Sequence, residues 1–181
     1  MINSQKLKTL TFATTRLEVV NIDFYSMSEL MKSTLLSEII SLLSASVVES
    51  LPPYFHEINT TSEAETWLMR MLSESHLCSV KHKGCDSIIG FVFLSKSDAA
   101  TAHLGYLLAE PHWHQGYGSE LLTGLLQRCR HNQWAEKLIG GVDMKNEASK
   151  KLLQKVVFVA LEENNQNIIF YEYNLCGQPH P

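Results

Sequence analysis

The sequence predicts an α/β (α+β) fold: a mixed sheet of about six to seven strands with helices on both of its faces. Three observations carry that reading. Short β-rich runs and segments of helical period follow one another in the order β-α-α-β-β-β-α-β-α-β-β. Some β-rich runs are separated only by turn residues, so hairpins occur beside helical crossovers. The chain has 181 residues, 45% hydrophobic and 19% charged, which suits one domain with a sizeable core. That domain is expected over residues 1–175. The tail 176–181 lacks periodicity and is expected to be disordered.

The elements follow in order. Residues 16–22 alternate and are rich in Val and Leu, a strand signature. Residues 26–51 carry Leu30, Ile39, Leu42 and Leu43 among their apolar positions and read as one or two helices. Pro52-Pro53 is a loop inside the domain. Ser62 stands three residues before Glu65, the capping-box spacing, and Trp67, Leu68, Met71 and Leu72 follow at helical intervals. A helix is therefore predicted over 62–74. Residues 76–82 and 87–94 flank the turn-like Lys83-Gly84-Cys85-Asp86 and form a hairpin, and 101–108 is a third strand of this group. Leu121, Leu122, Leu125, Leu126 and Cys129 form one stripe on a helix over 116–130. Residues 137–142 are a strand, Asn146 caps a helix over 146–155, and strands over 156–161 and 167–175 close the chain.

Charge and composition exclude several classes of partner. Fifteen Lys and Arg against 19 Asp and Glu leave a formal charge of -4. Nucleic acid is not expected, because its phosphates need a basic surface. No apolar run reaches the roughly 18 residues of a membrane span, so no membrane partner is expected. The first ten residues lack the apolar core of an export signal. Cys78, Cys85, Cys129 and Cys176 form no C-x-x-C pair and are expected to be free thiols in a cytoplasmic protein.

The informative stretch is residues 103–126, HLGYLLAEPHWHQGYGSELLTGLL. A strand ends near Leu108, a short connection follows, and Gly116-Tyr117-Gly118 opens a helix. The first turn of a helix has unpaired N–H groups at the positive end of the macrodipole. Glycines there lack the Cβ atoms that would hold a phosphate off the backbone, so the turn suits a pyrophosphate. It suits a tight strand-to-helix connection equally well. Two nucleotide motifs are absent: there is no G-x-x-x-x-G-K-[ST], and Leu121 stands where the third glycine of G-x-G-x-x-G would fall. His112, His114 and His131 have no Cys or carboxylate at ligand spacing apart from Glu110, so no metal is expected. Glu110 reads as a solvated loop charge and Trp113 as a packing anchor beneath the loop.

Gly105-Tyr106-Leu107-Leu108 followed by Trp113-His-Gln-Gly116-Tyr-Gly118-Ser-Glu120 resembles the acetyl-CoA motif of the GNAT N-acetyltransferases. The branch it resembles acetylates the N-termini of ribosomal proteins at serine or alanine. Asn146-Glu-Ala-Ser149 with Lys155-Val-Val-Phe158 is similar to that branch's N-x-x-S…K-x-G-F. The resemblance spans residues 10–175 and is strongest over 102–158. It implies a mostly antiparallel twisted sheet with a V-shaped splay between two central strands, where acetyl-CoA binds as co-substrate. It implies that the backbone of Leu107 and Leu108 pairs with the pantetheine arm like an added strand. The amides of His114, Gln115, Gly116, Tyr117, Gly118, Ser119 and Glu120 would hold the pyrophosphate, and Asn146 would touch the cofactor as well as cap its helix. An amine would attack the thioester directly in a ternary complex, with a backbone N–H near Leu108 stabilising the oxyanion. Ser149 would assist the leaving thiolate. The tyrosine acid that other branches place seven residues after the Asn is Leu153 here.

The acceptor amine must be neutral to attack. A protein α-amine has a pKa of about 7.7–8.0, so the deficit at pH 7 is about 1 to 1.4 kcal/mol, against roughly 4.6 kcal/mol for a lysine near 10.4. His103 stands where many relatives carry Glu and is the candidate base. The implied activity is acetylation of a protein N-terminus, ribosomal proteins included. A small amine such as a polyamine or an amino sugar, or a non-catalytic acyl-CoA-binding role, are the alternatives. Three departures from the family pattern matter. His114 replaces a small residue, Val157 replaces the glycine before Phe158, and eleven residues separate Phe158 from Phe170, where the ribosomal-protein enzymes carry a longer insertion. Monomer and homodimer are both compatible with the sequence.

Overall fold

The computed structural model describes residues 10–165 and 167–177. The expectation of a start without an export signal falls on residues 1–9, outside the described residues, and that of a disordered tail falls for residues 178–181 outside them too, whereas the Cys176 and Gly177 amides donate to Asn174 Oδ1 at 2.8 and 3.1 Å. Among the described residues, eight strands form one sheet: β1 (Phe12–Ala13), β2 (Leu17–Asn21), β3 (His76–His82), β4 (Ile88–Lys96), β5 (Thr101–Leu108), β6 (Lys137–Asp143), β7 (Val159–Asn165) and β8 (Ile168–Asn174). Their spatial order is β1-β2-β3-β4-β5-β6-β8-β7. The helices are α1 (Glu29–Leu42), α2 (Ala45–Val48), α3 (Thr61–Glu74), α4 (Tyr117–Asn132) and α5 (Glu147–Lys155). All neighbouring strands are antiparallel except β5 and β6. The sheet is therefore mixed and mostly antiparallel, as the sequence predicts, with one strand more. That strand, β1, is two residues long and has no period to read.

Strand alternation sorts the side chains into two cores. Val92 and Leu94 of β4 and Leu104 of β5 join Leu121, Leu122 and Leu125 of α4 on one face. Phe91, Phe93 and Leu107 join Leu36 and Ile39 of α1 and Trp67 and Leu68 of α3 on the other. Phe55, Trp67, Phe91 and Phe93 meet there in tilted and edge-on pairs at centroid distances of 5.6 to 6.1 Å. Each fully buried side chain of this size stabilises the fold by about 1.5–3 kcal/mol. Cys78 and Cys129 are buried thiols, Cys85 and Cys176 exposed ones, and none is in a disulfide. Among the described residues no helix is long and apolar enough to cross a membrane.

Most boundaries shift by one to three residues from the sequence reading, and two of the differences have a visible physical cause. The cap of α3 is Thr60, not Ser62: Thr60 Oγ1 accepts from Glu63 N at 3.3 Å, and the Glu63 carboxylate accepts from the Thr60 and Asn59 amides at 2.9 Å each. Both pairs have capping-box spacing. Ala64 lies on the same buried face as Trp67, Leu68 and Met71. The strand expected from Val156 begins instead at Val159. Val157 takes a left-handed φ of +69°, and the Val157 and Phe158 amides donate to Gln154 O and Leu153 O, both at 3.0 Å. Residues 156–158 thus finish α5 before any strand can form.

The topology makes one irregularity. β5 and β6 pair only through Thr101–His103 and Lys137–Ile139. Beyond that point β5 follows β4, β6 follows β8, and the two strands separate. This is the V-shaped splay the resemblance implies.

Candidate active site

A cavity of about 270 Å³ lies in the splay and reaches both faces of the sheet. On the α1/α3 side it is bordered by Tyr54, Met71, Glu74 and His103. On the α4/α5 side it is bordered by Tyr106, Asn146 and Ser149. Gly140 and Gly141 of β6 form part of its wall, where no side chain narrows the gap.

The register of β4 and β5 fixes which backbone groups look into the splay. Leu107 is paired with Phe91, and Ala109 N donates to Ile89 O at 2.8 Å, so these residues turn their N–H and C=O groups toward β4. The groups of Tyr106 and Leu108 point the other way, to the edge that β6 has left. Leu108 O is engaged on that side by Trp113 Nε1 at 2.7 Å. Of the two residues expected to pair with an arm in the cleft, Leu108 offers its N–H there. The backbone of Leu107 is taken up by β4, a correction that follows from strand alternation.

The turn into α4 is built by positive φ angles. Gly116, the cap residue, lies at φ +80° and His114 at φ +58°. Glycine adopts that conformation freely, whereas histidine is strained by roughly 1–2 kcal/mol. Gln115 Nε2 donates to Pro111 O at 2.7 Å, and Arg16 Nη1 donates to Gln115 O at 3.1 Å. The first helical turn leaves the Tyr117, Gly118 and Ser119 amides without intrahelical acceptors. Gly118 has a packing duty too, since a Cβ there would lie 2.7 Å from Leu152 Cδ2 of α5. The Tyr117 side chain is buried, with the Arg16 guanidinium 4.2 Å above its ring.

Glu120 belongs to the frame of this turn. Its amide donates to Gly116 O at 3.1 Å, the first bond of the helix. Its carboxylate accepts from Thr14 Oγ1 at 2.6 Å, Arg16 N at 2.7 Å and Arg16 Nε at 2.6 Å. Burial pushes its pKa up, but the Thr14 and Arg16 donors outweigh that and hold the carboxyl below its usual range. Neither group is left for a pyrophosphate, which corrects the role expected for Glu120. Arg16 itself was missed by sequence reasoning, because its partner is 104 residues away and no local pattern marks the pair.

The remaining candidates divide by face. His103 is exposed on β5, opposite Ser95 of β4 and Ile139 of β6. Ser149 lies in the first turn of α5, where its amide donates to Asn146 Oδ1 at 2.9 Å. Asn146 is thus the helix cap. Tyr106 shares the face of Leu104 and Ser149. Its hydroxyl is buried and has no hydrogen-bond partner among the described residues. Burial pushes its pKa up to about 12, and the nearby Ser149 hydroxyl opposes that only in part. Trp113 is 37% exposed and clasps Leu108, so it is not a buried anchor. Glu110 accepts from Ser46 Oγ of α2, tying the loop to that helix instead of standing free in solvent. Among the described residues no three His, Cys, Asp or Glu side chains converge as metal ligands.

Comparison with known proteins agrees with this geometry. A family model for the acetyltransferase (GNAT) domain matches residues 34–159. No curated protein matches the chain by sequence. RimL, a ribosomal L7/L12 alpha-N-protein acetyltransferase solved with coenzyme A, superposes with a TM-score of 0.73 at 13% identity, covering 91% of this chain and 97% of that one. The ribosomal-protein-S5-alanine acetyltransferase of Vibrio fischeri gives 0.68 at 16% identity, covering 92% and 97%. The microcin C7 self-immunity acetyltransferase MccE, solved with acetyl-CoA and AMP, gives 0.69 at 15% identity, covering 88% and 93%. At such identities the superpositions establish a common fold. The family model spans more than half of the sequence, including the splayed strand and the Gly116 turn, and on that ground the chain belongs to the GNAT acetyltransferase family.

Proposed function

We propose that the protein transfers the acetyl group of acetyl-CoA to the N-terminal α-amine of a protein, ribosomal proteins included. One observation carries the cofactor half: the edge of β5 facing the splay is unpaired beyond His103 and runs directly into the left-handed turn at Gly116. An arm bearing amides adds to such an edge as a strand does, meeting Leu108 N–H. Its diphosphate then reaches the free amides of Tyr117, Gly118 and Ser119, with His114, Gln115 and Gly116 shaping the turn around it. Asn146 borders the same space from the opposite wall.

The chemistry follows from the two faces. The amine enters from the α1/α3 side, and its nitrogen attacks the thioester carbon while Leu108 N–H donates to the developing oxyanion. His103, on the amine side, accepts the proton the nitrogen sheds. Ser149, on the α5 side, donates a hydrogen bond toward the departing sulfur. Glu74 and Asp143 supply carboxylates to the cavity wall, and among the described residues no lysine or arginine lines it, a field that draws in a cationic acceptor. Arg70 pairs with Glu74 from outside the cavity at 3.0 Å and so tempers that field. RimL's designation as an alpha-N-protein acetyltransferase adds support for a peptide acceptor. Unpaired cysteines suit a cytoplasmic location.

The test is release of CoA thiol from acetyl-CoA in the presence of peptides with varied N-termini. Turnover is expected, and His103→Ala should lower it by about 10²-fold and flatten the acid limb of its pH profile. An unchanged rate and profile would remove His103 as the base. No heat of binding with CoA would overturn the whole reading.

A further inference from the structure

We infer that the Tyr106 hydroxyl donates a hydrogen bond to the sulfur of the acyl carrier and holds the thiolate as the carbon–sulfur bond breaks. The inference rests on the proposed function, in that it takes the splay to hold the thioester. It starts from a polar group that the fold leaves unsatisfied. Tyr106 sits on β5 two residues before Leu108, and alternation turns its ring to the α4/α5 face. Tyr106 borders the cavity, and its oxygen is buried and makes no well-formed hydrogen bond among the described residues; the Ser149 hydroxyl, which acts on it only weakly, is the polar group nearest in effect. Folding tolerates a buried hydroxyl of this kind poorly unless something arrives to accept its hydrogen.

The surroundings narrow what that acceptor is. Asn146 Oδ1 is already engaged by Ser149 N. His103 and Glu74 lie on the other side of the sheet and serve the amine. The splayed strand edge places Leu108 N–H one residue-pair further along β5, on the side where the carbonyl oxygen is expected. The atom bonded to that carbonyl and lying toward α5 is the sulfur, within the space bordered by Tyr106 and Ser149. A phenol is a better hydrogen-bond donor than an aliphatic alcohol, so Tyr106 leads and Ser149 assists.

The step balances without proton transfer from tyrosine. A carbon–nitrogen bond forms, the carbon–sulfur bond breaks, and the electron pair leaves with sulfur. The proton lost by the amine nitrogen passes through His103 to solvent, and a proton from solvent converts the thiolate to thiol. Burial pushes the Tyr106 hydroxyl up to about 12, well above a thiol near 8.5, so it stays protonated and donates throughout.

The experiment compares CoA with desulfo-CoA, the same carrier with hydrogen in place of the thiol, by calorimetry at pH 7 and pH 9.5. Wild-type protein is expected to prefer CoA, more strongly at pH 9.5 where the thiolate forms, by about 10-fold. Tyr106→Phe keeps the ring and removes only the oxygen. It is expected to lose most of the pH-dependent preference, keeping only the small share that Ser149 supplies, and to melt no lower than wild type, since a poorly satisfied hydroxyl is gone. Undiminished pH-dependent preference in Tyr106→Phe overturns the inference while leaving the proposed function intact. Absence of that preference in wild type overturns it as well, and needs no variant. Failure of wild type to bind either carrier overturns both.

Discussion

Val157 sits in the left-handed region at φ +69°, a conformation that a β-branched residue adopts only under constraint. The cost is about 1–2 kcal/mol. It is tolerated because the turn satisfies the carbonyls of Leu153 and Gln154 and delivers Phe158 into the core, where it is 3% exposed. The Val157 side chain returns little, being 51% exposed. Val157→Gly removes the strain and adds about 0.5–1 kcal/mol of unfolded-state entropy. The expected net is a gain of about 1 kcal/mol, seen as a higher urea midpoint at unchanged slope. A lowered midpoint would mean that the valine packs better than its exposure suggests. The sequence shows the residue but not its torsion: Lys155-Val-Val-Phe158 resembles the family's K-x-G-F, and only the closed end of α5 shows that the backbone keeps the glycine-like conformation.

At the scale of elements, α4 is fastened to the N-terminal strands through one carboxylate. Glu120 gathers Thr14 Oγ1, Arg16 N and Arg16 Nε, and its ion pair with Arg16 spans 2.6 Å. Glu120→Gln should destabilise the fold by about 1.5–3 kcal/mol at pH 7 through weakened charge-assisted bonds. The sign with pH follows from the depressed folded pKa. The carboxylate's contribution is fully present above the unfolded value near 4.3 and is lost as pH falls through the lower folded value. The gap between wild type and Glu120→Gln in urea unfolding should therefore close below about pH 4; a gap that persists there would assign the loss to geometry alone. Elements with their own period were legible in the sequence: the α4 stripe from Leu121 to Cys129, the hairpin around Gly84, the Asn146 cap. The fastening was not, because Glu120 and Arg16 are neighbours only after the chain has folded. Nor was the start of α3, because Thr60-x-x-Glu63 and Ser62-x-x-Glu65 are equivalent by spacing.

The whole molecule is two half-sheets, β1 to β5 and β6 to β8, joined in the sheet by the short parallel contact of Thr101–His103 with Lys137–Ile139. Pattern alone showed where the Gly116 turn lies but not that two strands separate beside it, since the length of a pairing is a tertiary property with no local signature. The separation has a measurable consequence. A carrier lying along β5 contacts both half-sheets and binds only the folded chain, so CoA at 100 times its Kd should stabilise the protein by about 2.7 kcal/mol. Hydrogen exchange then localises the contact. The amides of Tyr106 and Leu108 face the splay and should slow when CoA binds. The amide of Leu107, already paired with β4 opposite Phe91, should not. Slowing that alternates along β5 in this way places the carrier on the strand edge as an added strand. Slowing confined to α4, with Tyr106 and Leu108 unchanged, would keep the diphosphate at the Gly116 turn and take the arm out of the splay.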